Sequence, residues 1–325
     1  MNMSNLKQLS TRIKSVKSTQ KITKAMQLVS ASKMAKIKSQ IANSNFYIEA
    51  ISKMMSAILS IDMYELSIEE QRFFNTVPNK ANLLIVMTSQ RGLCGTFNYN
   101  IIKQVKNDIK ELENKGEQIK LIIIGKKGYE ALKRQYVSYI DSYFELPKIH
   151  DENLVLQVKQ KIMSAVENLE VSNCVIYFNK FKNAMTQIMT RQQILPVAKS
   201  QDDSMIDNPI VNLVGFGYKE RGAKPINNRR ATSDIVGESK SIDYNYEYEG
   251  ENLISNLINL YVNSQINYAL LQSRASEEGA RMTAMENATN NANDLISKLV
   301  LKLNRSRQAI ITTELIEIIA GSEAV

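Results

Sequence analysis

Residues 251–320 read ENLISNLINLYVNSQINYALLQSRASEEGARMTAMENATNNANDLISKLVLKLNRSRQAIITTELIEIIA, a stretch with no proline and a single glycine, Gly279. Glycine and proline are the residues that interrupt helices, so the stretch reads as one continuous helix. Leu253, Leu257 and Leu260, then Tyr268, Leu271 and Ala275, then Met282, Met285, Ala288, Ala292, Leu295 and Leu299 form a narrow apolar seam of coiled-coil type. At about 1.5 Å per residue such a helix spans roughly 100 Å. A compact globule of this chain length is only about 50 Å across. The helix must therefore project from the body.

The other end of the chain repeats the pattern. The first proline is Pro78 and the first glycine Gly92, so residues 4–60 can form a helix of roughly 85 Å. Leu6, Leu9, Ile13 and Val16 start an apolar stripe, which resumes after a phase slip near Thr19 at Ile22, Met26 and Val29 and continues through Ile37 and Ile41. With no proline to bend either helix, the two ends are expected to pair as an antiparallel two-helix rod.

Between them the pattern alternates. NLLIVMT (82–88) and IKLIIIG (119–125) are short apolar runs of buried-strand type, each followed by a glycine-bearing turn and a helix-like segment. ENLVLQVKQKIMSAVENLE then leads into NCVIYFN and TQIMTRQQILPV. Strands alternating with helices imply right-handed crossovers and a mostly parallel sheet. The expected fold class is α/β with a long α-helical coiled coil, the shaft built from both termini and the centre a Rossmann-like α/β domain. The expected divisions are 1–77 for the N-terminal shaft helix, 78–200 for the α/β domain, 201–250 for a flexible inserted loop and return to the shaft, and 251–325 for the C-terminal shaft helix. The loop reading rests on FGYKERGAKPINNRRATSDIVGESKS, rich in Gly, Ser and charge.

Charge is distributed as unevenly as glycine. The chain carries 41 Lys and Arg against 33 Asp and Glu, and nine of the basic residues with none of the acidic ones fall in residues 1–40. Removing those nine leaves 32 basic against 33 acidic, so the net charge of +8 belongs to the N-terminal helix. A stripe of this kind suits nucleic acid, an anionic membrane or an acidic protein surface. A basic coiled coil that binds nucleic acid is the alternative function. It would need base-reading residues spaced on one face.

Enzymatic chemistry finds little to work with. The glycines of TSQRGLCGTFN (88–98) form G-x-x-G, not G-x-G-x-x-G, and neither that turn nor GKKG (125–128) matches the G-x-x-x-x-G-K-[ST] phosphate loop. The only histidine, His150, sits in a loop-like context. Cys94 and Cys174 are 80 residues apart, which gives neither a metal spacing nor a disulfide framework, and Cys94 is expected to be a small buried thiol. Glu314 and Glu317, one helical turn apart, read as a solvated or partner-facing edge. No cofactor and no metal are expected, and no run approaches the ~18 apolar residues of a membrane span.

Three separated motifs, LKQLSTRIKSVKSTQKITKAMQLVSASKM (6–34), RGLCGTFN (91–98) and ASEEGARMTAMENATNNANDLI followed by NRSRQAIITTELIEIIAG (275–321), resemble the γ subunits of F-type ATP synthases in the right order over nearly the whole chain. The resemblance implies a central rotor shaft that couples rotation of a membrane c-ring to the catalytic β subunits and carries no catalytic residue itself. It implies a ring of three α and three β subunits as partners, with the ε subunit and the c-ring at the foot, no nucleic acid, and membrane association only through the complex. It implies that the basic stripe, Lys21 and Lys24 included, meets acidic loops of the β subunits. It implies that Met26 and the helix turn holding Glu277 and Arg281 act in coupling, and that Arg307 and Gln308 hydrogen-bond a β-subunit loop. Thr96 and Phe97 depart from the usual R-G-L-C-G-G-L-N, and Gly279 stands where the family typically has Ala, a possible soft point worth about 1 kcal/mol of helix propensity. Because the family motif begins near Leu6, no removable presequence is expected. The cytoplasmic face of a bacterial plasma membrane is the expected location.

Overall fold

The computed structural model describes residues 3–58, 67–75, 80–147, 151–197 and 253–323. His150 and the 201–250 segment lie outside the described residues. Two helices dominate, α1 (Met3–Ile58) and α6 (Leu253–Glu323), with the short α2 (Ile68–Gln71) following the first. The remainder is β1 (Ala81–Met87), α3 (Phe97–Asn114), β2 (Ile119–Ile124), α4 (Lys126–Tyr136), β3 (Ile140–Phe144), α5 (Glu152–Glu167), β4 (Val171–Phe181) and β5 (Gln187–Leu195). β3, an edge strand of half-buried and exposed residues, lacks the apolar run that reveals β1 and β2 in the sequence.

The sheet order is β3-β2-β1-β4-β5, with β1 to β4 parallel and β5 antiparallel to β4. β1 is buried along its whole length, which is why it reads as a continuous apolar run without alternation. Its even and odd residues serve two cores. Leu84 and Val86 meet Phe97, Ile101, Val105 and Ile109 of α3 and Leu132 of α4 on one face. Leu83, Ile85 and Met87 meet Leu154, Val158 and Ile162 of α5 and the lower parts of both long helices on the other. Each fully buried aliphatic of this kind contributes about 1.5–3 kcal/mol. α5 starts at Asp151, whose Oδ1 accepts the Asn153 amide at 3.0 Å, a conventional N-cap.

α1 and α6 pair antiparallel along most of their lengths, and the seam differs from its apolar reading. A continuous stripe of half-buried and buried positions on α1 runs Leu9, Ile13, Val16, Gln20, Thr23, Gln27, Ser30, Met34, Ile37, Ile41, Ser44, Ile48, Ile51 and Met55, with steps of three and four and no phase slip. Polar side chains fill the interval where the apolar pattern breaks. Gln20 Nε2 donates to Asn293 Oδ1 at 2.7 Å, and the hydroxyls of Thr23 and Thr289 are 2.8 Å apart. Ile22 and Val29, expected in the seam, are instead 58% and 55% exposed. On α6 the lower seam also shifts: Ile254, Ile258, Tyr261, Val262 and Ile266 are buried while Leu260 is 47% exposed. The physical reason is that the sheet and α5, as well as α1, claim that part of α6, so more than one stripe is covered.

Candidate functional site

In an open α/β sheet the crevice at the carboxyl ends of strands whose connections diverge is the usual ligand site. Here that crevice opens between β1 and β4, and three parts of the chain fill it: the turn after β1 (Thr88 to Thr96), the turn between β4 and β5 (182–186), and α6 from Gln272 to Thr283. The turn after β1 spends its polar groups on its neighbours. Gly128 N–H donates to Thr88 Oγ1 at 2.9 Å, Lys127 N–H to the Ser89 carbonyl at 3.1 Å, and Lys126 N–H to Gln90 Oε1 at 3.2 Å. The first amides of α4, which would cradle a phosphate in a nucleotide site, are thus bonded to protein. Gly125 is required for this closeness: its φ is +99° and an added Cβ would fall 2.1 Å from the Thr88 carbonyl oxygen.

Asn98 explains the last residue of the RGLCGTFN motif. Its Oδ1 accepts the Ser89 amide at 2.9 Å, and its Nδ2 donates to Ser89 Oγ at 2.7 Å and to Cys94 Sγ at 3.3 Å. Cys94 is buried, as expected, and burial pushes its thiol above the ordinary value despite the bond from Ser89. It is a packed thiol and not a thiolate nucleophile. Phe97 and Thr96, the departures from the family motif, hold ordinary places: Phe97 opens α3 inside the core and Thr96 is the residue before it.

Against this turn lies the helix turn of Glu277 and Arg281. The two are 8% and 7% exposed; Arg281 Nη2 donates to Glu277 Oε1 at 2.5 Å, and its Nη1 lies 3.0 Å from Glu278 Oε1. Lys33 of α1 reaches the same Glu278 at 3.7 Å. Burial raises the Glu277 carboxyl above its usual range although Arg281 pulls it down. Burial also works against the Arg281 guanidinium, yet the two carboxylates carry it above its ordinary value. The network joins α6 to α1 and holds a charge pair where an enzyme would hold a ligand.

The other expected site residues fall into two further groups. Lys21 and Lys24 are exposed on α1, with Lys24 Nζ donating to Gln27 Oε1 at 3.1 Å, and Met26 is half-buried beside the seam. The register set by the Thr23–Thr289 and Gln20–Asn293 pairs puts Met26 level with Glu286 and Asn287, one to two helical turns along α6 from Arg281. By the same register Ala31 and Ser32 of α1 are level with Arg281, and buried Ser30 is beside them. Arg307 and Gln308 are exposed, roughly 40 Å along α6 from Arg281. Beyond them Ile311, Leu315, Ile316, Ile318 and Ile319 are 49–72% exposed. Sequence reading missed Gln272, Ser276 and Thr283, which lie on one helical face and bond to the end of β4 and the turn that follows it. Their 4, 3 and 4 spacing with Gly279 was a visible signal. Among the described residues no group of three His, Cys, Asp or Glu could hold a metal ion, and no helix is long and apolar enough to cross a membrane.

Comparison with known proteins agrees with this architecture. The profile of the family described as ATP synthase matches residues 5–325. The chain is 97% identical over 323 residues to the ATP synthase gamma chain of Rickettsia conorii, covering 99% of this chain and 100% of that one, and 84% identical over the same span to that of Rickettsia felis. Among solved structures, the central stalk and c-ring of Tetrahymena thermophila mitochondrial ATP synthase matches with a TM-score of 0.54 and 26% identity, covering 82% of this chain and 99% of that chain. The OSCP/F1/c-ring assembly of Euglena gracilis mitochondrial ATP synthase matches the fold with a TM-score of 0.63 and 16% identity over 99% of this chain and 95% of that chain.

Proposed function

The chain belongs to the ATP synthase gamma chain family, and on that premise we propose that it is the central rotor stalk of a proton-translocating F-type ATP synthase, contributing no catalytic residue of its own. Its upper shaft turns inside a ring of three α and three β subunits. Its body sits at the foot beside the ε subunit and the c-ring, on the cytoplasmic face of a bacterial plasma membrane.

The observation that carries this reading is the shaft above the body. Its only buried apolar cluster there is Leu9, Ile13 and Leu299 among the described residues, and much of its apolar surface points outward: Ile22, Leu28 and Val29 on α1, Leu301, Ile311, Leu315 and Ile318 on α6. So much exposed aliphatic surface on a thin rod calls for an enclosing partner. Exposed Ile22 and Val29, with half-buried Met26 between them, form an outward stripe flanked by Lys21 and Lys24, which suits a partner surface both apolar and acidic. Exposed ion pairs are worth only about 0–1 kcal/mol each, so attraction of this kind holds at several angles without trapping one. The shaft angle then acts as a ligand with different affinity for each β-subunit state, which biases the three subunits in turn.

Reconstitution tests the reading. A complex depleted of its own gamma chain and supplied with this one should recover ATP hydrolysis together with ATP-driven proton pumping, with α and β subunits co-purifying. Recovery of the chain alone, or bound to nucleic acid at about 0.15 M salt, would count against it.

A further inference from the structure

Gln272, Ser276, Gly279 and Thr283 line one face of α6, and that face is seated on the end of β4. Phe181 N–H donates to Gln272 Oε1 at 3.0 Å, Ser276 Oγ donates to the Asn179 carbonyl at 2.8 Å, and Thr283 Oγ1 donates to the Ala184 carbonyl at 2.9 Å. All three bonds end on backbone atoms, so they fix the strand end and the turn after it and not a mobile side chain. Gly279 makes the approach possible: an added Cβ would stand 3.1 Å from Phe181 Cε2 and 3.5 Å from Ala184 Cα. The glycine expected to be a soft point is therefore a close contact. The Phe181 ring also carries Lys38 Nζ of α1 at 5.0 Å from the centroid, so the aromatic ring meets both shaft helices. The turn beyond it is stiffened by Asn183 Oδ1, which accepts the amides of Met185 at 3.0 Å and Thr186 at 2.6 Å.

Elsewhere the sheet meets α6 through the apolar side chains of Ile254, Ile258, Tyr261, Val262, Ile266 and Leu270. Such contacts hold two elements together but are non-directional. Hydrogen bonds are directional. β4 pairs with β1 on one side and β5 on the other, so a push on its end reaches the sheet in both directions. From this we propose that the contact of α6 with the β4–β5 turn is the joint that sets the angle of the body on the shaft and transmits rotation between them. Gln272, Ser276, Gly279 and Thr283 are its positioning residues, with Phe181 as the wedge. The proposal rests on the rotor reading.

The test uses the reconstituted complex and the double variant Ser276→Ala with Thr283→Ala, with Thr283→Ser as the conservative control that keeps a hydroxyl. The joint requires the double variant to lose at least twofold in protons pumped per ATP hydrolysed while hydrolysis stays within twofold, the control to pump normally, and amide exchange at Phe181 to quicken. Equal loss of pumping and hydrolysis would reduce these residues to a structural role and overturn the proposal. So would normal pumping by the double variant. Failure of the unmodified chain to restore pumping would instead overturn the rotor reading, and the joint with it.

Discussion

Arg281 shows how a single buried charge ties the molecule together. It answers Glu277 and Glu278 at once, in a place almost sealed from water. Removing one partner of a buried pair leaves the other charge without compensation, at a cost of about 3–5 kcal/mol. Arg281→Ala should lower the unfolding free energy of the chain by about that amount in urea; a loss below about 1 kcal/mol would mean that Lys33 takes over. The buried thiols make a second prediction. Burial raises both Cys174 and Cys94 above the ordinary thiol value of 9.0. Their folded values exceed their unfolded ones, so the stability they support is complete below that value and is lost as pH rises past it, by up to about 1.4 kcal/mol per pH unit for the fully buried Cys174. Cys174→Ala should flatten the alkaline limb of a pH–stability curve, and an unchanged limb would refute the assignment. At Met26 a flexible thioether lies beside an outward apolar stripe. Met26→Lys places a cation where a β-subunit carboxylate could form a charge-assisted bond and pin the shaft. It should lower proton pumping more than ATP hydrolysis. Equal losses would point to simple destabilisation.

At the scale of elements, the coiled coil is polar where it passes from the body into the upper shaft. Gln20, Thr23 and Ser30 hold seam positions normally given to Leu or Ile, and Thr23 and Thr289 satisfy each other. A hydrogen-bonded pair of this kind adds only about 1 kcal/mol net, while an orphaned buried partner costs about 1–3 kcal/mol. Thr23→Val with Thr289→Val should therefore unfold at a temperature equal to or above that of the natural chain, and Thr23→Val alone below it. The single change is mild because Thr289 Oγ1 also donates to the Met285 carbonyl at 2.8 Å. A double variant less stable than both singles would show that the pair contributes more than shape. The apolar periodicity of the sequence could not reveal this seam, because a helix face is recognised by contrast with its neighbours and here both faces mix Ser, Thr and Gln.

Over the whole molecule, the inter-helix register brings the start of α1 level with about residue 309, so about a dozen residues of α6 run on alone, roughly 20 Å. Arg307 and Gln308 lie at the base of that overhang and are exposed. A planar guanidinium fork there suits a carboxylate on an enclosing subunit. Arg307→Ala with Gln308→Ala should reduce ATP turnover by the assembled complex several-fold while the circular dichroism and melting of the isolated chain stay unchanged. Truncation after Ile311 should be milder, because an apolar bearing aligns the tip but makes no polar latch. Normal turnover by the double variant alongside an inactive truncation would reverse the two roles.

The sequence by itself determined the two long helices, their antiparallel pairing and the parallel sheet between them. Those features follow from where Gly and Pro are missing and from apolar runs within a few residues of each other, which are local properties of the chain. It also marked Cys94 as a packed thiol and the glycines of the β1 and β2 turns as turn chemistry. Only the tertiary structure decided that Gln20 and Thr23 are seam residues, that Leu260 faces out, and that the crevice of the sheet is filled by the chain's own helix. Each of those depends on partners far away in sequence: Gln20 on Asn293, Gly279 on Phe181, Glu277 and Arg281 on the turn around Cys94. A glycine in a helix costs propensity when judged alone and becomes a requirement once another backbone lies against it.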